Sequence, residues 1–218
     1  MNGGASNPVI SSDILEEIQE KSQNFVKLMT YYRCAMMEIE TKFKVLDAEF
    51  SLSHDRNPIS SIKCRLKSPA SILDKLERRG LAYNMSSIEQ TINDVAGVRV
   101  CCSFVEDVYM LADSLLNQDD VELITIKDYI KTPKENGYRS LHLIVAIPIF
   151  LANEKHMMKV EIQLRTIAMD FWASLEHQLR YKKDAAFTDE MAKELLVCAE
   201  MSADLDSRMS KLRDALLG

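Results

Sequence analysis

Length, composition and charge describe a globular protein and exclude several classes. The chain has 218 residues, 47% hydrophobic and 28% charged, with a net charge of −6. The acidic balance argues against general nucleic-acid binding, and the longest apolar run, around 143–151, is interrupted by Pro148 and is too short to span a bilayer. The first residues lack the basic and apolar segments of a secretory signal. Five cysteines without a Cys-x-x-Cys pair argue against a disulfide framework or zinc site and predict a reducing, cytoplasmic location.

The first quarter of the chain predicts one long helix. We expect residues 1–12 to be a flexible tail and 13–56 to be an N-terminal helical region, which Asp13 and Glu16 start as a capping box. Apolar residues then recur at spacings of three and four, which is typical of an amphipathic helix long enough to pack on a core and on a partner chain. This stripe consists of Phe25, Met29, Tyr32, Met36, Ile39, Phe43, Leu46 and Phe50.

A cationic segment follows. Between His54 and Tyr83 there are seven lysines and arginines against three acids. Such a patch in an acidic protein suits a compact anionic ligand, although composition alone favours a solvated helix surface. Ser68-Pro69 predicts the start of a short helix that Gly80 closes, and a Ser-x-x-Glu pattern at Ser86 predicts another helix, to about residue 94.

The middle of the chain predicts a β-sheet. Apolar and polar residues alternate over 98–104 and 159–166, and segments 121–126 and 140–149 also have strand character. A helix at 106–117 between two of these strands indicates a crossover unit, and a turn at 153–155 predicts that the last two strands form a hairpin. The predicted class is α+β: a mixed, mostly antiparallel sheet of about five strands, flanked by helices and extended by N- and C-terminal helices.

Two more helices are predicted after the last strand. Thr166 is placed to cap a helix that carries Ile167, Phe171, Leu175 and Leu179. From about Thr188, a final helix carries an apolar stripe of Leu205, Met209, Leu212 and Leu216. This stripe predicts contact with a second subunit, or packing on its own domain.

Strand alternation brings several polar residues together. Arg99, His142 and Glu161 each face away from the apolar set of their strand, and Asp94 lies just before the strand of Arg99. If the strands share a sheet, two carboxylates and an arginine meet on one face. Mg²⁺ prefers one or two carboxylates plus phosphate oxygens, so this arrangement predicts a magnesium site, although each residue alone is more often part of a structural ion pair.

Two segments have the chemistry of a nucleotide site. In Lys134–His142, Gly137 permits a sharp turn that presents Tyr138 for stacking on a base, although packing against the sheet is the commoner role of a loop aromatic. In Arg65–Ser71, cations stand at a helix start, where free N–H groups favour phosphate. Two turns later, the planar guanidinium of Arg78 can stack on a second base.

Three motifs together resemble one family. D-V-A-G-V-R-V (94–100), N-G-Y-R-S-L-H (136–142) and V-E-I-Q-L-R-T…D-F-W-A-S-L-E-H (160–177) resemble the RelA/SpoT-type (p)ppGpp synthetase domain, and the flanking helices resemble small alarmone synthetases of the RelQ type. The resemblance implies a nucleotidyltransferase-like catalytic domain over 57–183 and a helical oligomerisation region over 184–218. It also implies transfer of pyrophosphate from ATP to the 3′-hydroxyl of GDP or GTP, giving ppGpp or pppGpp and AMP in the stringent response.

The resemblance also implies roles for individual residues. Asp94 and Glu161 would bind Mg²⁺, and Glu161 would act as the base for the 3′-hydroxyl. The implied ATP-binding residues are Arg65 and Arg78 around adenine, with Lys67, Ser71, Lys75 and Arg99 around the phosphates. The implied acceptor-binding residues are Tyr138, stacked on guanine, with Lys134, Asn136, His142 and Gln163.

Further expectations concern partners and rival activities. The resemblance implies a homotetramer with an allosteric (p)ppGpp site, and single-stranded RNA as a regulator. Larger relatives carry a hydrolase with a His-Asp metal motif; here His54-Asp55 is a lone dipeptide, so hydrolysis is not expected. Pyrophosphorylation of tRNA 3′ ends is one rival, which the acidic charge disfavours because tRNA needs a broad basic surface. A non-catalytic RNA-binding module is the other, which would be expected to lose a metal carboxylate or Tyr138.

Overall fold

A computed structural model describes residues 12–53, 56–181 and 187–217, which form six helices and five strands. Residues 1–11 of the predicted tail and the dipeptide His54-Asp55 lie outside the described residues, and Ser12, the last residue of that tail, is the first residue of α1. In chain order the elements are α1 (Ser12–Ser53), β1 (Ile59–Leu66), α2 (Pro69–Arg78), α3 (Met85–Thr91), β2 (Ala96–Cys102), α4 (Val105–Leu116), β3 (Glu122–Asp128), β4 (Leu141–Phe150), β5 (Lys155–Thr166), α5 (Ile167–Tyr181) and α6 (Asp189–Leu217).

The strands form one mixed sheet in the order β1-β2-β5-β4-β3. Only β2 and β5 pair in parallel, and the other three pairs are antiparallel. The predicted five-stranded, mostly antiparallel α+β fold is therefore confirmed, as is the hairpin of the last two strands. In the predicted crossover, β2 and β3 run in the same direction, but β5 and β4 lie between them. Strand β1 had not been predicted.

One face of the sheet carries the hydrophobic core, which α1 and α4 cover. On α1, Tyr32, Ile39 and Phe43 are fully buried against strand residues such as Val100 and Ile162. Burying one such side chain contributes about 1.5–3 kcal/mol, so α1 is an integral layer of the domain. The predicted apolar stripe of α1 therefore packs on the core of its own domain, and its most buried residues cannot contact a partner chain.

Helix starts follow local capping chemistry. The Ser68 hydroxyl accepts a hydrogen bond from the Ser71 amide at 3.2 Å, and Thr166 accepts one from Met169 at 3.1 Å, as predicted for α2 and α5. The predicted start of α3 is wrong, because Asn84 caps it by accepting from the Ser87 amide at 2.8 Å. Asn is as good a cap as Ser, and here it stands two residues before Ser86.

Helix α6 returns along α5 at one end of the sheet. The indole N–H of Trp172 donates to the Leu195 carbonyl at 2.8 Å, and the Ser202 hydroxyl donates to the Ala168 carbonyl at 2.9 Å. Thr166 adds a hydrogen bond to Asp206 at 2.5 Å. Within the described ranges, no helix has an apolar stretch long enough to cross a bilayer.

Candidate active site

The second face of the sheet is polar, and its side chains are aligned across the strands. A single row runs in register from edge to edge: Lys63, Arg99, Gln163, His142 and Lys127. The next row contains Arg65, Gly97 and Glu161. Residues paired in register project to the same face of a sheet. The structure thus brings Arg99, His142 and Glu161 together, although they come from three different strands.

Two cavities open above this face, and they share two carboxylates. The first cavity, of about 200 Å³, is lined by Asp94 and Glu161 together with Lys63, Arg65, Lys67, Arg99 and Gln163. The second, of about 250 Å³, is lined by the same Asp94 and Glu161 together with Lys75, Arg79, Lys127, Tyr129, Lys134 and His142. Asp94 and Glu161 therefore stand at the boundary between two cation-rich cavities.

Asp94 is held by two lysines. Lys67 Nζ lies 2.8 Å from Oδ2, and Lys75 Nζ lies 2.8 Å from Oδ1. A backbone hydrogen bond of 2.8 Å from Lys67 to the Val95 carbonyl fixes the segment after β1 beside this carboxylate. Burial acts to raise the pKa of Asp94, but the two ammonium groups outweigh it and leave the pKa below its ordinary value. Asp94 is therefore ionised at neutral pH.

Glu161 is oriented by its neighbours in the polar rows. Gln163 donates from Nε2 to Oε2 at 2.8 Å, and His142 Nδ1 lies 3.6 Å from Oε1. Burial acts to raise the pKa of Glu161, but the interactions with His142 and Gln163 outweigh it and lower the pKa, while the charge of Asp94 opposes them. The second carboxylate is therefore also ionised at neutral pH.

These carboxylates fit a magnesium ion that shares its coordination with phosphates. Both are ionised, as a metal ligand must be, and a metal ion at Asp94 would displace Lys67 or Lys75 from its oxygens. Among the described residues no group of three His, Cys, Asp or Glu side chains converges as a metal cage. Mg²⁺ typically takes one or two carboxylates and completes its shell with water and substrate oxygens, and Asp94 and Glu161 are two carboxylates that line the same cavities.

The loop at 134–138 places Tyr138 beside residues that line the second cavity. Gly137 has φ +86° at the turn, and its amide donates to the Lys134 carbonyl at 2.8 Å. Arg165 donates from Nη2 to the Tyr138 hydroxyl at 2.7 Å, and this hydroxyl lies 2.7 Å from His142 Nε2. Lys134 Nζ lies 4.8 Å from the centre of the Tyr138 ring. Tyr138 thus contacts two lining residues of this cavity.

Three of the residues singled out from the sequence are engaged elsewhere in the described structure. Arg78 pairs with Asp74 at 2.6 Å on the exposed side of α2. The Ser71 hydroxyl lies 2.9 Å from that of Ser68. The Asn136 side chain shapes its own loop, because its oxygen accepts from the Tyr138 amide at 3.2 Å and its nitrogen donates to Glu176 at 3.2 Å.

A buried charge cluster beside the site was not predicted from the sequence. Asp170, in the first turn of α5, accepts from Arg165 Nη1 at 3.1 Å and from Arg99 Nη1 at 3.4 Å, and Lys63 Nζ lies 3.5 Å away. Arg165 and Asp170 are only 4% and 9% exposed. The available signal was the position of Arg165 at the polar parity of β5, with an acid one helical turn after the strand.

Tyr129 is a second missed residue. Its ring centre lies 5.2 Å from that of His142 and 6.0 Å from that of Tyr138, in both cases edge to face. Lys134 Nζ lies 4.7 Å from the same ring. Tyr129 lines the second cavity itself, and Tyr138 packs behind it against Tyr129, Lys134 and His142.

Comparisons with known proteins agree on one family. The family described as "Region found in RelA / SpoT proteins" matches residues 64–186, more than half of the chain. GTP pyrophosphokinase YwaC of Bacillus subtilis (strain 168) is 40% identical over 195 residues, which cover 89% of this chain and 93% of that protein. Small alarmone synthetase 1 from Bacillus subtilis, in a crystal structure with its product pppGpp, matches with a TM-score of 0.83 at 34% identity over 90% of this chain and 100% of that chain. A structure of the same synthetase bound to AMPCPP matches with a TM-score of 0.75 at 30% identity over 89% and 98% of the two chains.

Proposed function

The chain belongs to the RelA/SpoT family, and from this membership and its site we propose that it is a GTP pyrophosphokinase. It transfers pyrophosphate from ATP to the 3′-hydroxyl of GDP or GTP, giving ppGpp or pppGpp and AMP, an activity of the stringent response in the cytoplasm. The observation that carries the proposal is that Asp94 and Glu161 line two cavities at once. A two-substrate transfer needs one charged centre between a donor and an acceptor.

The first cavity is assigned to ATP. Arg65, Lys67 and Arg99 line it and offset the charge of a polyphosphate. Arg78 and Ser71 lie on the adjoining helix α2, where the family resemblance assigns them to adenine and phosphate. The exposed pair of Arg78 with Asp74 does not prevent this role, because an i,i+4 ion pair contributes only about 0.3–0.5 kcal/mol. Its guanidinium is thus free to turn towards a base.

The second cavity is assigned to the guanine nucleotide. Tyr138 supplies a ring for stacking, and Lys134 and His142 contact that ring while lining the cavity. Gln163 lies between Arg99 and His142 in the polar row, and therefore at the boundary of the two nucleotides. Asn136 holds the loop in shape. These contacts support the acceptor-binding set implied by the family.

The chemistry rests on positioning and charge neutralisation, as in other phosphoryl transfers. Asp94 and Glu161 would hold Mg²⁺, which would neutralise charge on the ATP phosphates. Lys67 lines the first cavity and is placed to contact those phosphates. Lys75, which the family resemblance also assigns to them, lines the second cavity and reaches the boundary through its pair with Asp94. The ionised carboxylate of Glu161 lies where the two cavities meet, so it is available to accept the proton of the 3′-hydroxyl.

Product analysis tests the proposal directly. The protein is incubated with Mg²⁺ and ATP labelled at the β- and γ-phosphates, together with GDP, GTP, GMP or tRNA, and the products are separated by chromatography. We expect labelled ppGpp from GDP and pppGpp from GTP, each with one AMP, and no product in excess EDTA. Labelling of tRNA alone would support the first rival activity. RNA binding without any transfer would support the non-catalytic module.

The assembly is proposed to be a homotetramer, as the family resemblance implies. The outer side of α5 exposes Ile167, Phe171, Leu175 and Leu179, and Phe171 is 67% exposed. The predicted stripe of α6, from Leu205 to Leu216, is exposed as well. Large exposed apolar patches mark interaction sites, which supports subunit contact through α5 and α6. The allosteric (p)ppGpp site and the single-stranded RNA regulator are proposed from the resemblance alone.

A further inference from the structure

The loop at 134–138, called the acceptor loop from here on, lies directly against α6. A Cβ atom added at Gly137 would stand 2.5 Å from Ala199 Cβ and 3.1 Å from Leu196 Cδ1, closer than packed side chains approach. Gly137 also has φ +86°, which L side chains rarely adopt. The glycine is therefore required twice, once for the turn and once because the loop backbone lies against the helix.

Helix α6 is itself fixed to the catalytic domain near this contact. Ala199 and Trp172 are buried in one small cluster, against which Tyr138 and Leu195 pack. The Trp172 indole donates to the Leu195 carbonyl, one turn before Ala199, and Ser202 is bonded to α5 three residues after it. This part of α6 therefore acts as a firm support and not as a mobile extension.

Tyr138 is held from two sides as a result. On one side, its hydroxyl contacts Arg165 and His142. On the other, the residue directly before it rests on Ala199, and Asn136 is bonded to Glu176 of α5. We infer that Ala199 is a positioning residue for the acceptor: α6 supports the loop and so sets where Tyr138 presents its ring to guanine. The inference rests on the proposed function, because it gives that ring a guanine nucleotide to bind.

This arrangement predicts an effect on one substrate only. The cations assigned to ATP lie on β1, β2, α2 and the segment between β1 and α2, whereas Gly137, Ala199 and Trp172 belong to the acceptor loop and the two C-terminal helices. Moving the loop should therefore weaken GDP binding without changing ATP binding. A merely structural role of Ala199 would lower stability and affect both substrates equally.

The test compares two identical substitutions on α6. Ala199→Leu places bulk against Gly137, whereas the control Ala192→Leu alters a half-buried alanine two turns earlier. We expect Ala199→Leu to raise the KM for GDP at least tenfold, with the KM for ATP within twofold of the unaltered protein. The control should leave both values within twofold. Leu196→Ala removes part of the support for the loop without adding bulk, and it should raise the KM for GDP about threefold. If Ala199→Leu does not fold, Leu196→Ala is the variant that tests the inference.

Calorimetry of GDP binding to the full chain saturated with AMPCPP gives a readout that does not depend on turnover. An affinity for GDP at least tenfold weaker in Ala199→Leu, with unchanged AMPCPP affinity, supports the inference. Equal GDP affinity in Ala199→Leu and the control overturns the inference but not the proposed function. The same holds if Ala199→Leu weakens the affinities for GDP and AMPCPP to the same extent. If the unaltered protein binds no guanine nucleotide, the proposed function fails and the inference fails with it.

Discussion

Gln163 donates a hydrogen bond of 2.8 Å to Glu161, its neighbour two positions earlier on the same face of β5. His142, on the adjacent strand, approaches the other carboxylate oxygen at 3.6 Å. Glu161 is therefore fixed by groups that belong to the acceptor side while it also lines the donor cavity. A carboxylate held in this way can act on both substrates at once.

Replacing Glu161 by Gln should abolish synthesis. The amide has the same shape, so the fold should remain intact, but it lacks the charge needed to bind a metal ion or accept a proton. A loss of at least 10³-fold corresponds to about 4 kcal/mol of barrier. Labelled product is measured beside circular dichroism, and the control is Glu122→Gln at the exposed start of β3. Synthesis above about a thousandth of the normal rate would contradict the assigned role.

Two substitutions of Tyr138 separate the contribution of its ring to GDP binding from that of its hydroxyl. Tyr138→Phe keeps the ring but loses the contacts with His142 and Arg165, so the KM for GDP should rise less than tenfold. Tyr138→Ala also loses stacking, which contributes about 1–3 kcal/mol per base, and should raise the KM for GDP by a further factor of about 5 to 160. If the two variants behaved alike in steady-state kinetics, stacking would not be the function of the ring.

The loss of folding stability at acid pH should depend on Asp94. Its pKa is lower in the folded protein than the ordinary value of 3.8, so its ion pairs with Lys67 and Lys75 stabilise the fold fully above that value and less as the pH falls through the lowered pKa. Urea unfolding between pH 2 and 6 measures this effect. Asp94→Asn should lose less stability below pH 4 than the unaltered protein. If both proteins lost the same free energy of unfolding between pH 6 and 2, this prediction would be wrong.

Local sequence predicted most elements but not the register between them. The alternation of β5 was sufficient to place Glu161 and Gln163 on one face, and Thr166 was sufficient to start α5. In β1, Ile62 and Cys64 also alternate with Lys63, but this segment was interpreted only as a cationic patch for an anionic ligand or as a solvated helix surface, and not as a strand. The alignment of five strands into one polar row depends on pairing between distant segments, and no single segment encodes it.

The start of α3 and the charge cluster show the same limit. Asn84 and Ser86 are both good caps, and their local sequences do not decide between them. Asp170 was missed because its partners Arg99 and Lys63 are about 70 and 107 positions earlier in the chain. Only the packing of α5 against the sheet brings them together. Sequence periodicity likewise identified apolar stripes on α1, α5 and α6, but it did not show that the first is buried and the other two are exposed.

The exposed stripe of α5 should control assembly. Phe171→Glu places a charge in the proposed subunit contact, where burial of an unpaired charge is costly. We expect the mass from light scattering to fall from four times the chain mass of 24.8 kDa towards that of a smaller species. Val26→Glu, at an exposed apolar position of α1, is the matched control. An unchanged mass for Phe171→Glu would place the interface elsewhere, and a monomeric unaltered protein would contradict the proposed tetramer.

Asp170 should stabilise both halves of the site because it lies between their arginines. Burial lowers the pKa of Arg99, the charge of Arg165 lowers it further, and Asp170 opposes both effects. Asp170→Asn keeps the shape but leaves two arginines without a buried counter-charge, and breaking such a pair typically costs about 3–5 kcal/mol. We expect a loss of stability of this order in urea unfolding, and higher KM values for both ATP, through Arg99, and GDP, through Arg165 and Tyr138.

The exposed pair of Asp74 with Arg78 offers a matched control for this change. Asp74→Asn also removes a carboxylate from an arginine, but this ion pair is exposed to solvent. It should therefore change stability by less than about 1 kcal/mol and leave the KM for GDP unaltered. Asp170→Glu should recover part of the stability because the charge is restored. If Asp170→Asn were as mild as Asp74→Asn, the buried cluster would contribute nothing beyond a surface ion pair, and the two nucleotide sites would not depend on a shared buried carboxylate.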